Sequence, residues 1–380
     1  MNRCFVKFDR SVKCLLCALV VMFSVSNLCA ETIDVVVITP DYDKEQGFTA
    51  SSMQLMEEVS GSFDVSLEVL YSNTDPRMMI EHADEISLRE NKPDYVIVTG
   101  VIGASLTMLR SLDKAGIKTV VYNGALSLSE LEVLKQDPLD HWVGSILPND
   151  IQSGYILAEV LVDSAREKEL FNDENKIEIF GITGAERSMA SEKRFSGLMK
   201  YIDENTDVVL LDSKSVNWNQ DLANVETYWH LTKNENTAVV WAASDMMAVG
   251  AMEAAVELEM VPGEQIVSAG VDWFEGAHPY INDGTVLGSV GGHMFDAAWI
   301  VIALYDHYHG HHAEPFDYET DFTFVDGTHL HQVAKAVDPL TWKEIDFKQW
   351  SKEHGLKGGY NFGAGLILNS LFDAELDTLK

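Results

Sequence analysis

Two stretches end an apolar run on a carboxylate beside a second group able to meet a small molecule. Ser244 and Asp245 close "TAVVWAASD", and Asp272 and Trp273 close or follow "QIVSAGVDW". An ionised carboxylate only accepts hydrogen bonds, so either Asp suits a ligand rich in hydroxyl donors. A Trp ring suits the apolar C–H face of a ring-shaped ligand. Asp272 is expected to accept from the ligand. Asp245 is expected to be partly structural, because an Asp at a strand-to-helix joint also caps the helix, worth ~1 kcal/mol. A third run, "TVLGSVGGH", ends on Gly292 and His293, where missing side chains let backbone come close to a ligand or bend as a hinge. Asp41, Asn123 and the pair Glu186 and Arg187 follow other apolar runs, and Arg187 suits paired bonds to neighbouring hydroxyls or a carboxylate. Trp218, Trp241 and Trp273 fall in loops or strand ends of the second half and suggest a stacking wall.

These groups need elements to position them. From Thr32 onward, short β-branched runs ("TIDVVVITP", "DVSLEVLYS", "DYVIVTG", "KTVVYNG", "WVGSILP") alternate with segments whose apolar residues recur at three and four. After a long helix beginning near Asn149 the rhythm restarts with "KIEIFGITG", "DVVLLDS", "TAVVWAASD", "QIVSAGVDW" and "TVLGSVGGH". The fold class is therefore α/β, with two successive doubly wound parallel-sheet lobes, and ligands of such sheets lie at the carboxyl ends of the strands. "TDFTFV" and "HLHQVAKAV" read as two further strands, followed by a polar helical segment and a glycine-containing tail.

The first thirty residues differ from the rest. Arg3, Lys7, Arg10 and Lys13 precede an apolar stretch from Cys14 to Leu28, and Ala30 closes it, the pattern of a cleaved secretory signal peptide. That stretch is shorter than the ~20 residues that span a bilayer. All four cysteines (Cys4, Cys14, Cys17, Cys29) lie within it, so the expected mature chain has no disulfide and no thiolate metal site. The whole chain has 27 Lys+Arg against 60 Asp+Glu. This excess of acid speaks against nucleic-acid binding, which requires a basic face, and against adhesion to anionic lipid.

No metal or cofactor is expected. "DYDKEQGF" alternates acids, but its glycine comes one position late for a calcium loop and no glutamate closes it. "HYHGHH" (307–312), with His329 and His331 on one face of a later strand, reads as a solvated helix end before Gly310. Catalytic signatures are missing as well: no G-x-S-x-G, H-E-x-x-H, P-loop or G-x-G-x-x-G follows the first strand. A secreted carbohydrate-active enzyme with paired carboxylates is the distant alternative, and nothing in the spacing singles out a pair.

The leader, the order of elements, "WAASDMMAVGAMEA", "GVDWFEGAHPYINDGTVLGSVGGH" and "DAAWIVIALYDHYHG" together resemble type I periplasmic binding proteins of the sugar-transport, ribose-binding-like class. The resemblance implies two lobes joined by three crossovers near 145–150, 291–295 and 325–330. The lobes would be 31–148 with 294–327, and 149–293 with 328–345, after a signal peptide 1–30 and before a tail 346–380. It places Phe48 as a ring that stacks on a sugar, without the second adjacent aromatic of many relatives, because Thr49 stands there. It makes Asn123 a hydroxyl partner and sets Gly292 and His293 where ligand approach and hinge coincide. The implied function is a monomeric, non-enzymatic periplasmic solute-binding protein. It would close on a small molecule, a sugar or sugar-like compound, and present it to the permease of an ABC importer. The alternative is a ligand-sensing subunit for a membrane sensor kinase or chemoreceptor.

Overall fold

Strands without an exposed residue form where β-branched runs are continuous, because helices cover both faces of a parallel sheet. The computed structural model describes residues 32–41, 47–312 and 315–372. The expected leader, positions 42–46 of the acidic loop and the last eight residues lie outside them. The first half contributes β1 (Ile33–Thr39), β2 (Val65–Tyr71), β3 (Tyr95–Thr99), β4 (Lys118–Tyr122) and β5 (Trp142–Pro148). The second contributes β6 (Ile177–Thr183), β7 (Val208–Ser215), β8 (Thr237–Ala242), β9 (Val267–Val271) and β10 (Gly288–Gly291), and the chain adds β11 (Phe316–Thr320) and β12 (Thr323–Asp326).

These strands form two six-stranded sheets, ordered β11-β5-β4-β3-β1-β2 and β12-β10-β9-β8-β6-β7. Every pair is parallel except β10 with β12. In each half the strand order reverses beside the first strand, between β1 and β3 and between β6 and β8, which opens a crevice at the carboxyl ends. Asp41 follows β1, and the loop from Thr183 to Ser188 follows β6.

The chain passes between the sheets at Pro148–Asp150, at Gly291–Asp296 and at Thr320–Thr323. The third passage comes earlier than the 325–330 expected. "TDFTFV" is not one strand: Thr320 ends β11 beside Pro148, while Thr323 pairs with Gly291 across the second sheet. No glycine or proline marks this bend. It is held instead by hydrogen bonds from Asn149 N to Thr320 O (2.9 Å) and from Phe322 N to Gln152 Oε1 (3.0 Å).

"HLHQVAKAV" also departs from its strand reading. Leu330–Val337 is a helix that buries Leu330, Val333 and Ala336, the three-residue recurrence of a helical face. Trp342 and Ile345, expected with the second lobe, pack into the cluster on the first sheet, as do Phe347 and Trp350 of the tail.

Candidate functional site

The centre of the site is a side chain delivered by two close-packed helices. Ser188 opens the helix Met189–Glu204 by accepting from Ser191 N (3.3 Å), and that helix buries Ser191, Arg194, Leu198 and Tyr201 on one stripe. It crosses Asp150–Glu167 at two glycines. A Cβ on Gly154 would strike the Arg194 carbonyl, and one on Gly197 the Ile151 carbonyl. This approach brings Arg194 Nε to Asp150 Oδ1 at 2.9 Å, with both side chains 4% exposed. Arg194 Nη1 donates to Ala243 O (2.7 Å) and to Asp272 Oδ1 (3.3 Å), and Nη2 lies 3.3 Å from His293 Nε2. The Trp218 and Phe322 rings flank the guanidinium at 5.7 and 5.8 Å.

Asp150 ends the first passage between sheets, His293 lies in the second and Phe322 in the third. One buried cation thus touches all three connections as well as a strand-end carboxylate. Asp296, in the second passage, accepts from Thr320 Oγ1 at the third (2.8 Å).

Burial opposes the charge on Arg194, but Asp150 and Asp272 outweigh it and hold the group protonated. Burial, then the neighbouring Arg194, pushes His293 well below its ordinary range, so the ring is neutral. A guanidinium can only donate, so Nε2 accepts and the ring proton sits on Nδ1, a tautomer assigned by this argument. Phe48 lies flat on that imidazole, with ring centroids 4.2 Å apart and planes 16° from parallel. Helix Phe48–Ser62 of the first lobe thereby meets the second passage.

Burial raises both Asp272 and Asp245. Arg194 partly offsets the effect at Asp272, and the nearby Asp272 adds to it at Asp245. Burial also raises Asp296, well above the ordinary carboxylate range. Asp245 Oδ1, Asp296 Oδ1, His293 Nδ1 and Tyr122 Oη are buried without a hydrogen-bond partner among the described residues.

The strand-end residues fall into three groups. Asp272, His293 and Trp218 lie against Arg194, and Phe48 packs on His293. Asp272 carries a φ of 130° and Trp273 one of 55°, a conformation held by Asp272 N to Val290 O (2.9 Å) and Ser289 Oγ accepting from Trp273 N (3.0 Å). This places strain at the residue whose carboxylate is 15% exposed.

Asp245, Ser244 and Trp273 are committed to packing. Asp245 does not cap its own helix. Its Oδ2 accepts from Phe274 N (2.8 Å) and Ser289 Oγ (2.9 Å), tying β9 to β10, and Ser244 precedes it without a side-chain cap bond. The buried Trp273 ring lies over Gly291 and donates from Nε1 to Ser289 O (3.2 Å). Trp241 likewise donates inward, to Gly154 O.

Asp41, Asn123, Glu186 and Arg187 form the third group, in the loops after β1, β4 and β6. Asp41 Oδ2 accepts from Thr39 Oγ1 (2.5 Å), and burial raises this carboxyl. Asn123 has a left-handed φ of 59°. The side chains of Glu186 and Arg187 are exposed, but Arg187 O accepts a long hydrogen bond from Ile102 N (3.4 Å), joining the loops after β6 and β3 of opposite lobes.

Sequence reasoning chose Arg187 and missed Arg194, Asp150 and Phe322. The available signal for Arg194 was a charged residue on the buried stripe Ser191, Arg194, Leu198, Tyr201. A concavity of about 750 Å³ opens elsewhere, lined by Leu128, Trp142, Ile151, Met189 and Phe316, and contains none of the strand-end groups. The histidine stretch is engaged locally: His307 Nδ1 with Tyr95 Oη (2.8 Å), His311 with Glu353 (2.8 Å) and His312 with Tyr360 (3.1 Å). His329 and His331 belong to the start of a helix, not to one face of a strand. Among the described residues no three metal-binding side chains converge.

A model of the periplasmic binding protein domain matches residues 35–310. The chain belongs to the periplasmic binding protein family. No curated protein matches its sequence significantly. Among solved structures, a periplasmic sugar-binding protein from Pseudomonas fluorescens is 26% identical with a TM-score of 0.80, covering 88% of this chain and 99% of its own. A periplasmic solute binding protein of an ABC transporter from Actinobacillus succinogenes, with bound D-allose, is 20% identical with a TM-score of 0.68, covering 79% and 99%. The binding component of an arabinose ABC transporter from Shewanella sp. ANA-3, bound to L-arabinofuranose, is 15% identical with a TM-score of 0.67, covering 86% and 100%. The last two speak for the fold of this periplasmic binding protein.

Proposed function

We propose that this periplasmic binding protein is exported by cleavage of its leader and closes two lobes on an uncharged, hydroxyl-rich small molecule, a sugar or close analogue. It would then present that molecule to the permease of an ABC importer. Asp272 supplies an acceptor and His293 a ring N–H from the second lobe and the hinge, and Arg194 holds both in place. Phe48 and Trp218 supply apolar ring faces, and Asp41 and Asn123 complete the contact from the first lobe. Ligand stabilises the closed form to the extent that it touches both lobes at once.

The observation that carries this reading is the hydrogen-bond balance around Arg194. Its donors already serve Asp150, the Ala243 carbonyl, Asp272 and His293. A ligand carboxylate would enter among several acids, with the Arg194 charge already shared between Asp150 and Asp272, whereas hydroxyls can donate to Asp272 and accept elsewhere. The importer role is supported by the ABC-transporter descriptions of structural neighbours.

The test is a thermal-shift screen of the leaderless protein against D-allose, L-arabinose, D-galactose and myo-inositol, with D-glucuronate as the anionic comparison. At a hundredfold excess over its dissociation constant a bound sugar adds ~2.7 kcal/mol of apparent stability. A shift with glucuronate alone would overturn the reading.

A further inference from the structure

The chain's last described helix lies against the hinge although it belongs, by its anchoring, to the first lobe. That anchoring begins at Asp306, a buried carboxylate near the end of the helix Asp296–Tyr308. It accepts from Ser351 Oγ (2.6 Å), Lys352 N (2.7 Å), Glu353 N (3.1 Å) and Tyr360 Oη (2.5 Å). Four donors on one carboxylate fix the stretch 351–360. Trp299 then receives Trp350 edge-on (5.2 Å, 83°) and Phe362 face-on (5.2 Å, 10°).

The helix Ala364–Phe372 follows directly and buries Ala364, Ile367 and Leu368. Its first residue fills the space that a side chain at Gly292 would need: a Cβ there would lie 2.7 Å from Ala364 Cβ, and Gly292 has a φ of 115°. The helix also packs on Leu330–Val337, whose Leu330 enters the core of the second sheet while Val333 and Ala336 enter that of the first. Lys335 Nζ sits 5.3 Å over the Phe372 ring.

We propose that the helix Ala364–Phe372 is a brace behind the hinge that limits how far the two lobes open. Hinge motion requires backbone rotation at a few connecting residues. Gly292 lies in the second connection, and Ala364 stands where its backbone would swing. Opening would also drag Leu330–Val337, which follows the third connection, across a helix pinned to the first lobe. Both connections would therefore move against the same rigid surface. The proposal rests on the two-lobed closure read above, but not on what the ligand is.

The test needs no ligand, so its failure is separate from failure of the sugar-binding reading. The chain has no cysteine after Cys29, which permits clean labelling. Spin labels at Leu88→Cys, in the first lobe and 84% exposed, and Val256→Cys, in the second and 55% exposed, report the lobe separation by double electron–electron resonance. In the leaderless protein ending at Gly363, and in the longer chain carrying Leu368→Asp, the distance distribution is expected to broaden and its mean to lengthen. The far-UV circular dichroism should be retained apart from the helix removed. If the truncated chain does not fold, Leu368→Asp decides by the same distance measurement. A distribution unchanged from the parent in a folded variant, or loss of fold in both variants, overturns the brace and leaves the helix as core packing.

Discussion

Arg194 and Asp150 form an ion pair at 2.9 Å with both side chains 4% exposed, and that pair sits at the first connection between the lobes. Breaking a buried pair by removing one partner leaves a charge without compensation. Arg194→Ala is therefore expected to cost about 3–5 kcal/mol in chemical denaturation. Arg187→Ala, at an exposed loop position, should stay within about 0.5 kcal/mol. Equal losses in the two variants would mean the pair is not structural.

Stability should fall as pH rises from the ordinary carboxylate range to neutrality. Burial holds Asp272 and Asp245 above the ordinary carboxylate range, so the pair keeps protons in the folded state that the unfolded chain has already released. More protons bound by the folded form means a negative slope of stability with pH, of the order of 1 kcal/mol per unit for each group. The contribution is complete below about pH 4 and lost as pH passes through the raised values. Melting temperatures across pH 4–8 check this, and Asp272→Asn should flatten the slope. A melting temperature that rises steadily over that range in the parent protein contradicts it.

Phe48→Leu keeps an apolar side chain and removes the ring that lies on His293. Aromatic stacking beyond area burial is worth about 0.5–1.5 kcal/mol, so sugar affinity is expected to weaken by roughly 2- to 10-fold with little change in melting temperature. Calorimetric titration of the sugar that gives a thermal shift measures it. Unchanged affinity would remove Phe48 from the site.

Gly197→Val inserts a branched side chain where the two helices touch and pushes Arg194 away from Asp150. Overpacking of this kind costs about 1–3 kcal/mol, and the displaced guanidinium should lower sugar affinity as well. A variant as stable and as tight-binding as the parent would show that the crossing does not position Arg194.

Much of the architecture was legible because a covered parallel sheet leaves a plain trace. β3, β8 and β9 are buried at every residue, and each is followed within two residues by one the sequence marks as different: Gly100, Ser244 or Asp272. The bend between Thr320 and Thr323 was hidden because its backbone groups are satisfied by the distant Asn149 and Gln152, with no local turn residue. The candidate site was half legible for the same reason. Asp272, Phe48 and His293 stand at strand or helix ends, where topology points to them. Arg194 lies within a helix and reaches the centre only because Gly154 and Gly197 let two helices touch, which is a tertiary fact. The three tryptophans misled in part, since Trp241 and Trp273 turn their N–H groups inward to backbone carbonyls.

The most direct measurement of the central claim is calorimetric titration of the leaderless protein with D-allose, L-arabinose, D-galactose, myo-inositol and D-glucuronate, repeated on Asp272→Ala. One-to-one binding of at least one uncharged compound is expected. In Asp272→Ala that binding should weaken tenfold or more, because a ligand hydroxyl left unpaired in a buried site costs about 1–3 kcal/mol. Binding of glucuronate alone, or full affinity in Asp272→Ala, would contradict it.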